Sequence, residues 1–183
     1  VALGWLMSEE PWMEPLKNTF DKIKFRASMG QAGNDNIGGR RFAYLTTLKT
    51  DASGYTWGTT GQKNYDKGIT EGEIGVTNLT WETATKSNLG LEVGFWNALD
   101  ITVDVFREKR KNIFMQRRII PTQTGFITNP WANYGKVTNG GMEVSINLHK
   151  QLNKDWFTSF YGNFTFAKNR VDEYDEAPSK IGT

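Results

Sequence analysis

Apolar and polar residues alternate in five separate segments of the chain, and this pattern limits the fold more than any other feature. Successive side chains of a β-strand point to opposite faces, so each segment has one apolar and one polar side. Such repeated alternation in a short chain predicts an antiparallel all-β fold. The five segments run over 22–30, 88–96, 99–108, 141–149 and 156–167.

The connections between these segments alternate in length. The links at 96–98 and 150–154 are short, whereas 31–79 and about 113–136 are long and polar. Short turns at one end of the strands and long loops at the other are typical of transmembrane β-barrels. The loops of a soluble β-sandwich are usually of more even length.

The polar rows carry charged and amide side chains that a dry core would accommodate only at a heavy desolvation cost. These side chains must therefore face water, either outside a soluble sheet or inside the hydrated lumen of a barrel. The apolar rows then face a protein core or lipid. In the barrel interpretation, the residues predicted to face the lumen are Arg26, Glu92, Asp100, Asp104, Glu143 and Asn147.

Aromatic residues near the segment ends fit two interpretations equally well. They suit the interfacial girdle of a membrane barrel, and they suit an inward aromatic core. These residues are Trp81, Phe95, Trp96, Trp156 and Phe166. The pair Asn139-Gly140 is also open: it predicts either a hairpin turn or a bulge inside a longer strand.

The sequence gives little support to catalysis or to nucleic-acid binding. The chain has no cysteine and a single histidine, His149, so we expect no cofactor, no metal site and no catalytic residues. Asp100 and Asp104 lie roughly 13 Å apart at ~3.3 Å per residue, too far for a glycosidase pair. The net charge is +2, and the basic runs at 107–111 and 117–118 are short and are expected to be solvated strand ends.

A ligand-contact surface is better founded than a catalytic site. The long loops contain aromatic residues with asparagine and aspartate nearby, and flat rings with amides suit sugar rings. Alternatively, these rings pack the loops onto one another or onto a partner. The candidate substrate-binding residues are Tyr44, Tyr55, Trp57, Tyr65, Trp131 and Tyr134.

An ordered series of motifs resembles the barrel of SusC/RagA-family TonB-dependent transporters. Its members, in chain order, are the strand end at 4–10, IKFRASMG at 23–30 with GNDNIG at 33–38, LTWE at 79–82 with NLGL at 88–91, VDVF at 103–106, and NYGKVTNGGME at 133–143. Met29 stands where the family has an aromatic residue. In the family the glycine pair of the last motif lies within a strand, which favours that interpretation of Asn139-Gly140.

The resemblance implies that residues 1–183 are one part of a TonB-dependent receptor barrel of about 22 strands. It further implies a segment of about six antiparallel transmembrane strands with short periplasmic turns and long extracellular loops. The plug domain, a signal peptide and the terminal strand are expected to be absent, since 178–183 does not resemble a terminal strand and 1–5 lacks the features of a signal peptide.

The function implied is active import of oligosaccharides or peptides across the outer membrane of a Gram-negative, Bacteroidota-type bacterium. The partners implied are a SusD-type surface lipoprotein, the TonB complex acting through the missing plug, a glycan or peptide ligand and outer-membrane lipid, with no nucleic acid. The alternatives are a soluble β-sandwich carbohydrate-binding module and, less favoured because no acid–base set is visible, an enzyme on a β scaffold.

Overall fold

The computed structural model describes residues 1–176, and this part of the chain is almost entirely β-structure. Short 3₁₀ helices at Met7–Glu9, Pro11–Leu16 and Thr122–Thr124 are its only helices, and none of them is long and apolar enough to cross a membrane. The segment 178–183 lies outside the described residues. The strands are β1 (Ala2–Leu6), β2 (Phe20–Asn34), β3 (Leu48–Thr59), β4 (Gln62–Glu71), β5 (Glu82–Phe95), β6 (Leu99–Gln116), β7 (Trp131–Gln151) and β8 (Phe157–Glu173).

Six of these strands form one antiparallel sheet in the order β1-β2-β5-β6-β7-β8. The register of its first pair places Gly4 opposite Arg26 and Trp5 opposite Phe25. The five alternating segments and the strand ending near Trp5 therefore correspond to the six strands, which confirms the predicted fold. The strands extend beyond the alternating segments, because β7 alone has 21 residues.

The apolar rows of this sheet are exposed. Leu89 is 63% exposed, Val105 52% and Phe164 57%, and the buried apolar residues of the described chain are only Met13, Ile23, Val76 and Ala98. A soluble sandwich buries such rows between its sheets. A sheet with an exposed apolar face and a charged opposite face has the character of a barrel wall.

Both tight connections predicted from the sequence are present. Between β5 and β6, the amide of Ala98 donates to Phe95 O at 3.0 Å, and the two central residues, Trp96 and Asn97, have φ of +52° and +47°. Positive φ at both central positions is the geometry of a type I′ hairpin turn. Between β7 and β8, the amide of Leu152 donates to Trp156 O at 2.9 Å. Residues 139–140 lie inside β7, so the hairpin alternative for Asn139-Gly140 was wrong.

Two details of the predicted loops were wrong. The stretch 31–79 contains a separate two-stranded sheet formed by β3 and β4, with Trp57 opposite Asn64 and Tyr55 opposite Asp66. Both faces of this hairpin are largely exposed, so its sequence shows no alternation. The loop between β6 and β7 covers only 117–130, because Trp131 and Tyr134 belong to β7.

The chain divides into two compact units, which are described separately. The sheet unit comprises Val1–Gly33, Thr83–Arg110 and Val137–Asp172. The loop unit comprises Asn34–Glu82, Lys111–Lys136 and, of the described residues after β8, 173–176. The sheet unit holds the charged row predicted to face a lumen, and the loop unit holds the aromatic residues predicted to contact a ligand.

Candidate functional site

Charged side chains from three strands meet on the polar face of the sheet unit. Arg26 of β2 places Nη2 3.0 Å from Asp104 Oδ2 of β6 and Nε 2.8 Å from Glu92 Oε1 of β5. Lys22 forms a second ion pair with Glu92. The structure thus brings three of the predicted lumen-facing residues into one network. Because each charge is paired, the network fixes this face of the wall without isolating a charge.

Glycine on β5 makes this network sterically possible. Gly90 lies between Arg26 and Asp104, and a Cβ there would be 2.6 Å from Asp104 Oδ1 and 3.0 Å from Arg26 Nη2. Gly94 plays a similar part, since a Cβ there would be 2.9 Å from Asp21 Oδ2. The Arg26 side chain of β2 therefore reaches Asp104 of β6 by passing over a position of β5 that has no side chain.

The other three predicted lumen-facing residues do not join this network. Asp100 lies near His149, with Oδ2 3.9 Å from His149 Nδ1, and both side chains are about half exposed. Such a pair attracts only when the imidazole is protonated. Glu143 and Asn147 of β7 are exposed.

An aromatic residue on the polar face was missed in the sequence. Phe106 has the same parity as Asp104 and lies against Gly141 of β7, where a Cβ would be 2.8 Å from Phe106 Cζ. Phe106 lines a concavity of about 450 Å³ together with Ser28, Asn88 and Glu108. The signal was available, because position 106 continues the polar row of β6. A ring beside amide and carboxylate groups suits contact with a sugar or a peptide.

In the loop unit, the Trp131 ring is already engaged. The Arg40 guanidinium lies 3.7 Å from the Trp131 ring centroid, and Phe114 stacks against the same ring at 5.2 Å with an interplanar angle of 16°. Arg40 Nε also lies 3.5 Å from Glu73 Oε2. Trp131 therefore packs the loop unit internally, which corresponds to the alternative interpretation of the loop aromatic residues.

Tyr134 belongs to a second internal cluster, centred on Asp175. Arg117 Nε donates to Asp175 Oδ2 at 2.8 Å, and the amides of Arg118 and Ile119 donate to the same oxygen at 2.7 and 3.2 Å. The Arg117 guanidinium lies 4.9 Å from the Tyr134 ring. The expectation that Arg117 is a solvated strand end was therefore wrong, because its guanidinium pairs with Asp175, whose carboxylate is buried.

The donors around Asp175 set its charge. They hold the pKa of the Asp175 carboxyl below its ordinary value of 3.8, and the hydrogen bond from Arg117 is the largest cause. The same hydrogen bond raises the pKa of Arg117. Both groups are therefore ionised at neutral pH and tie the end of β8 to the loop that follows β6.

Tyr55 of the β3–β4 hairpin is the most exposed of the six predicted loop aromatic residues. Tyr55 and Trp57 are two residues apart on one face, 74% and 50% exposed, with Asn64 and Asp66 opposite them. Trp57 Nε1 donates to Asp66 Oδ2 at 2.8 Å, which orients the indole ring.

The remaining loop tyrosines have local partners. Tyr65 lies on the other face of the hairpin, where its hydroxyl accepts a hydrogen bond from the Gly54 amide at 2.9 Å. Tyr44 lies edge-on to Phe42 at 6.2 Å. The structure therefore separates the six predicted aromatic residues: Trp131 and Tyr134 take part in internal clusters, whereas the rings of the hairpin and Tyr44 are exposed.

The fold and the two-sided sheet define a segment of a transmembrane β-barrel. Residues 16–183 match the family model described as TonB dependent receptor-like, beta-barrel. The chain therefore belongs to the TonB-dependent receptor β-barrel family.

The relatives agree with this assignment. TonB-dependent receptor SusC of Bacteroides thetaiotaomicron is 31% identical over 99% of this chain and 18% of SusC. TonB-dependent receptor P3 of Formosa agariphila is 31% identical over 93% of this chain and 16% of that receptor.

Solved structures of the RagAB peptide importer share the fold. The open-open state aligns with a TM-score of 0.72 and 21% identity over 98% of this chain and 19% of the RagAB chain. The closed-closed state aligns with a TM-score of 0.67 and 22% identity, over 93% of this chain and 18% of that chain. This chain spans less than a fifth of the length of these relatives.

Proposed function

We propose that this chain forms part of the barrel wall of an outer-membrane active importer of the SusC/RagA type. The observation that carries the proposal is the two-sided sheet, with exposed apolar rows on one face and the Arg26 ion network on the other. Such a wall presents its apolar face to lipid and its charged face to a hydrated lumen. Transport is a movement of solute and needs no catalytic residue in the wall.

The substrate proposed is an oligosaccharide or a peptide, taken up with energy from the TonB complex. The structurally similar RagAB is a peptide importer, and the exposed aromatic and amide groups of the hairpin suit either substrate. We assign the ligand contact first to Tyr55 and Trp57. A SusD-type lipoprotein at the cell surface is the proposed partner, and the outer membrane of a Bacteroidota-type bacterium is the proposed location.

Uptake by whole cells tests this proposal. Cells that carry the receptor containing this segment should accumulate labelled oligosaccharides or peptides, and deletion of the receptor or of TonB should abolish that uptake. Co-purification from detergent-solubilised outer membranes should recover a surface lipoprotein with the receptor. A receptor that fractionates as a water-soluble protein, or uptake that is unchanged without TonB, would refute the proposal.

A further inference from the structure

On the apolar face of the sheet unit, the side chains of β6 and β8 change from apolar to positively charged, and the change occurs at the same level in both strands. Side chains at 103 and 105 of β6 and at 164 and 166 of β8 are apolar and lie on this face. The next positions of the same parity carry positive charge, and all of them are exposed: Arg107, Lys109, Lys168 and Arg170.

Contacts across β7 place these cations at the same height. Gly141 of β7 approaches both Phe106 of β6 and the backbone of Phe166 of β8 so closely that no Cβ fits there. Arg107 directly follows the first of these residues, and Lys168 lies two positions after the second. Since neighbouring strands are about 4.8 Å apart, the two cationic rows are separated by about 10 Å.

Small residues form the floor between the rows. On this face β7 carries Gly140 and Thr138, so the cations flank a shallow cleft. The cleft contains one acid, Asp172, which pairs with Arg170 at 2.6 Å and contacts the Thr138 hydroxyl. Within residues 1–176, no carboxylate forms an ion pair with Arg107 or Lys168.

We propose that this cleft, the cationic cleft, binds the phosphate group of a phosphorylated glycolipid in the outer leaflet of the membrane. The inference rests on the proposed function, which places the apolar rows in lipid. Cations that directly adjoin a lipid-facing apolar row lie at the level of lipid headgroups, where Lys and Arg attract anionic lipid. A free anion would account for the cations but not for the exposed apolar rows beside them.

The direction of the strands places the cleft at the outer leaflet. The cations lie beyond the apolar rows, on the side away from the tight turns that precede β6 and β8, and in barrels of this kind the short turns are periplasmic. Arginine and lysine supply charge-assisted hydrogen bonds to phosphate oxygens from two sides. The acyl chains of the same lipid would then lie along Val105, Met142 and Phe166.

Native mass spectrometry of the purified receptor tests the inference. The probe is bisphosphorylated lipid A, compared with enzymatically dephosphorylated lipid A. The double variant Arg107→Gln/Lys168→Gln should bind bisphosphorylated lipid A about 30-fold more weakly, at about 1 kcal/mol for each cation. Lys63→Gln/Lys67→Gln on the exposed hairpin removes the same charge elsewhere and should bind like the parent protein.

Two further comparisons make the result specific. The charge-preserving variant Arg107→Lys/Lys168→Arg should keep the affinity, which separates charge from folding. Millimolar inorganic phosphate should not displace the lipid, because the acyl chains supply part of the binding. Equal affinity of the Gln variant and the hairpin control, or displacement by free phosphate, would overturn the lipid site while membrane insertion and uptake remain intact. A receptor that does not insert into the outer membrane would overturn the proposed function as well.

Discussion

Arg26 of β2 reaches Asp104 of β6 across the intervening strand β5, with Nη2 3.0 Å from Oδ2. The path crosses Gly90, which has no side chain to block it. Three strands are thereby joined by side chains in addition to their backbone ladders. Such a link opposes the sliding of one strand along its neighbour. Backbone hydrogen bonds alone allow that sliding, because a strand that slips in register can form a new ladder.

Gly90→Ala should disrupt this link. The added Cβ would be 2.6 Å from Asp104 Oδ1, so the ion pair must move, at a cost of about 1–3 kcal/mol in the free energy of unfolding. Urea unfolding of the receptor in detergent micelles measures that cost. Gly30→Ala is the matched control, because a Cβ at Gly30 on the same face meets nothing within 4 Å. Equal stability of the two variants would show that Gly90 is not required for the link.

Leu89 and Asn88 should report opposite environments although they are adjacent. Leu89 lies on the exposed apolar row, whereas Asn88 lines the concavity on the polar face. Spin labels are attached to Leu89→Cys or Asn88→Cys in a receptor without other cysteines. The label at Leu89→Cys should be accessible to oxygen from lipid, and the label at Asn88→Cys to a water-soluble nickel complex. Accessibility of both labels to the nickel complex alone would contradict a lipid-facing apolar row.

The low pKa of Asp175 predicts that the stability of the loop unit depends on pH. Its pKa in the folded protein lies below the ordinary 3.8, so its contribution to stability is fully present above pH 3.8 and is lost as the pH falls through the folded value. Protection of the Arg118 and Ile119 amides from hydrogen exchange should therefore hold at neutral pH and decrease in acid. Asp175→Asn should lower that protection at neutral pH and remove the acid transition. An acid transition that persists in Asp175→Asn must have another origin.

Truncation of the hairpin ring at Trp57 should weaken ligand binding without unfolding the loop unit. Loss of one stacked ring corresponds to about 0.5–1.5 kcal/mol, or about 3- to 10-fold in affinity, for Trp57→Ala. Trp131→Ala should instead lower the stability of the loop unit, since that ring packs against Arg40 and Phe114. Isothermal titration with a transported ligand and thermal unfolding separate the two effects. The assignment fails if Trp57→Ala binds like the parent receptor.

The sheet was predictable because its two faces meet different environments, so that apolar and polar residues alternate along each strand. Leu89, Leu91 and Val93 alternate with polar or glycine positions, and that period appears directly in the sequence. The β3–β4 hairpin was not predictable in this way, because both of its faces are exposed and impose no period. The Arg26 network was predicted only as a polar row, since the role of Gly90 depends on the order of strands in the sheet. The partnership of Arg117 with Asp175 joins positions 58 apart in the chain and leaves no local pattern.

The pairing of β3 only with β4 has a consequence for how receptors of this kind diverge. No ladder of the six-stranded sheet passes through these two strands, and the six strands follow one another in chain order once the hairpin is set aside. Insertions, deletions or exchanges within the hairpin itself, 48–71, therefore leave the pairing of the six sheet strands unchanged. With the ligand contact proposed for Tyr55 and Trp57, sequence changes in the hairpin would alter ligand preference without altering how the strands of the wall pair.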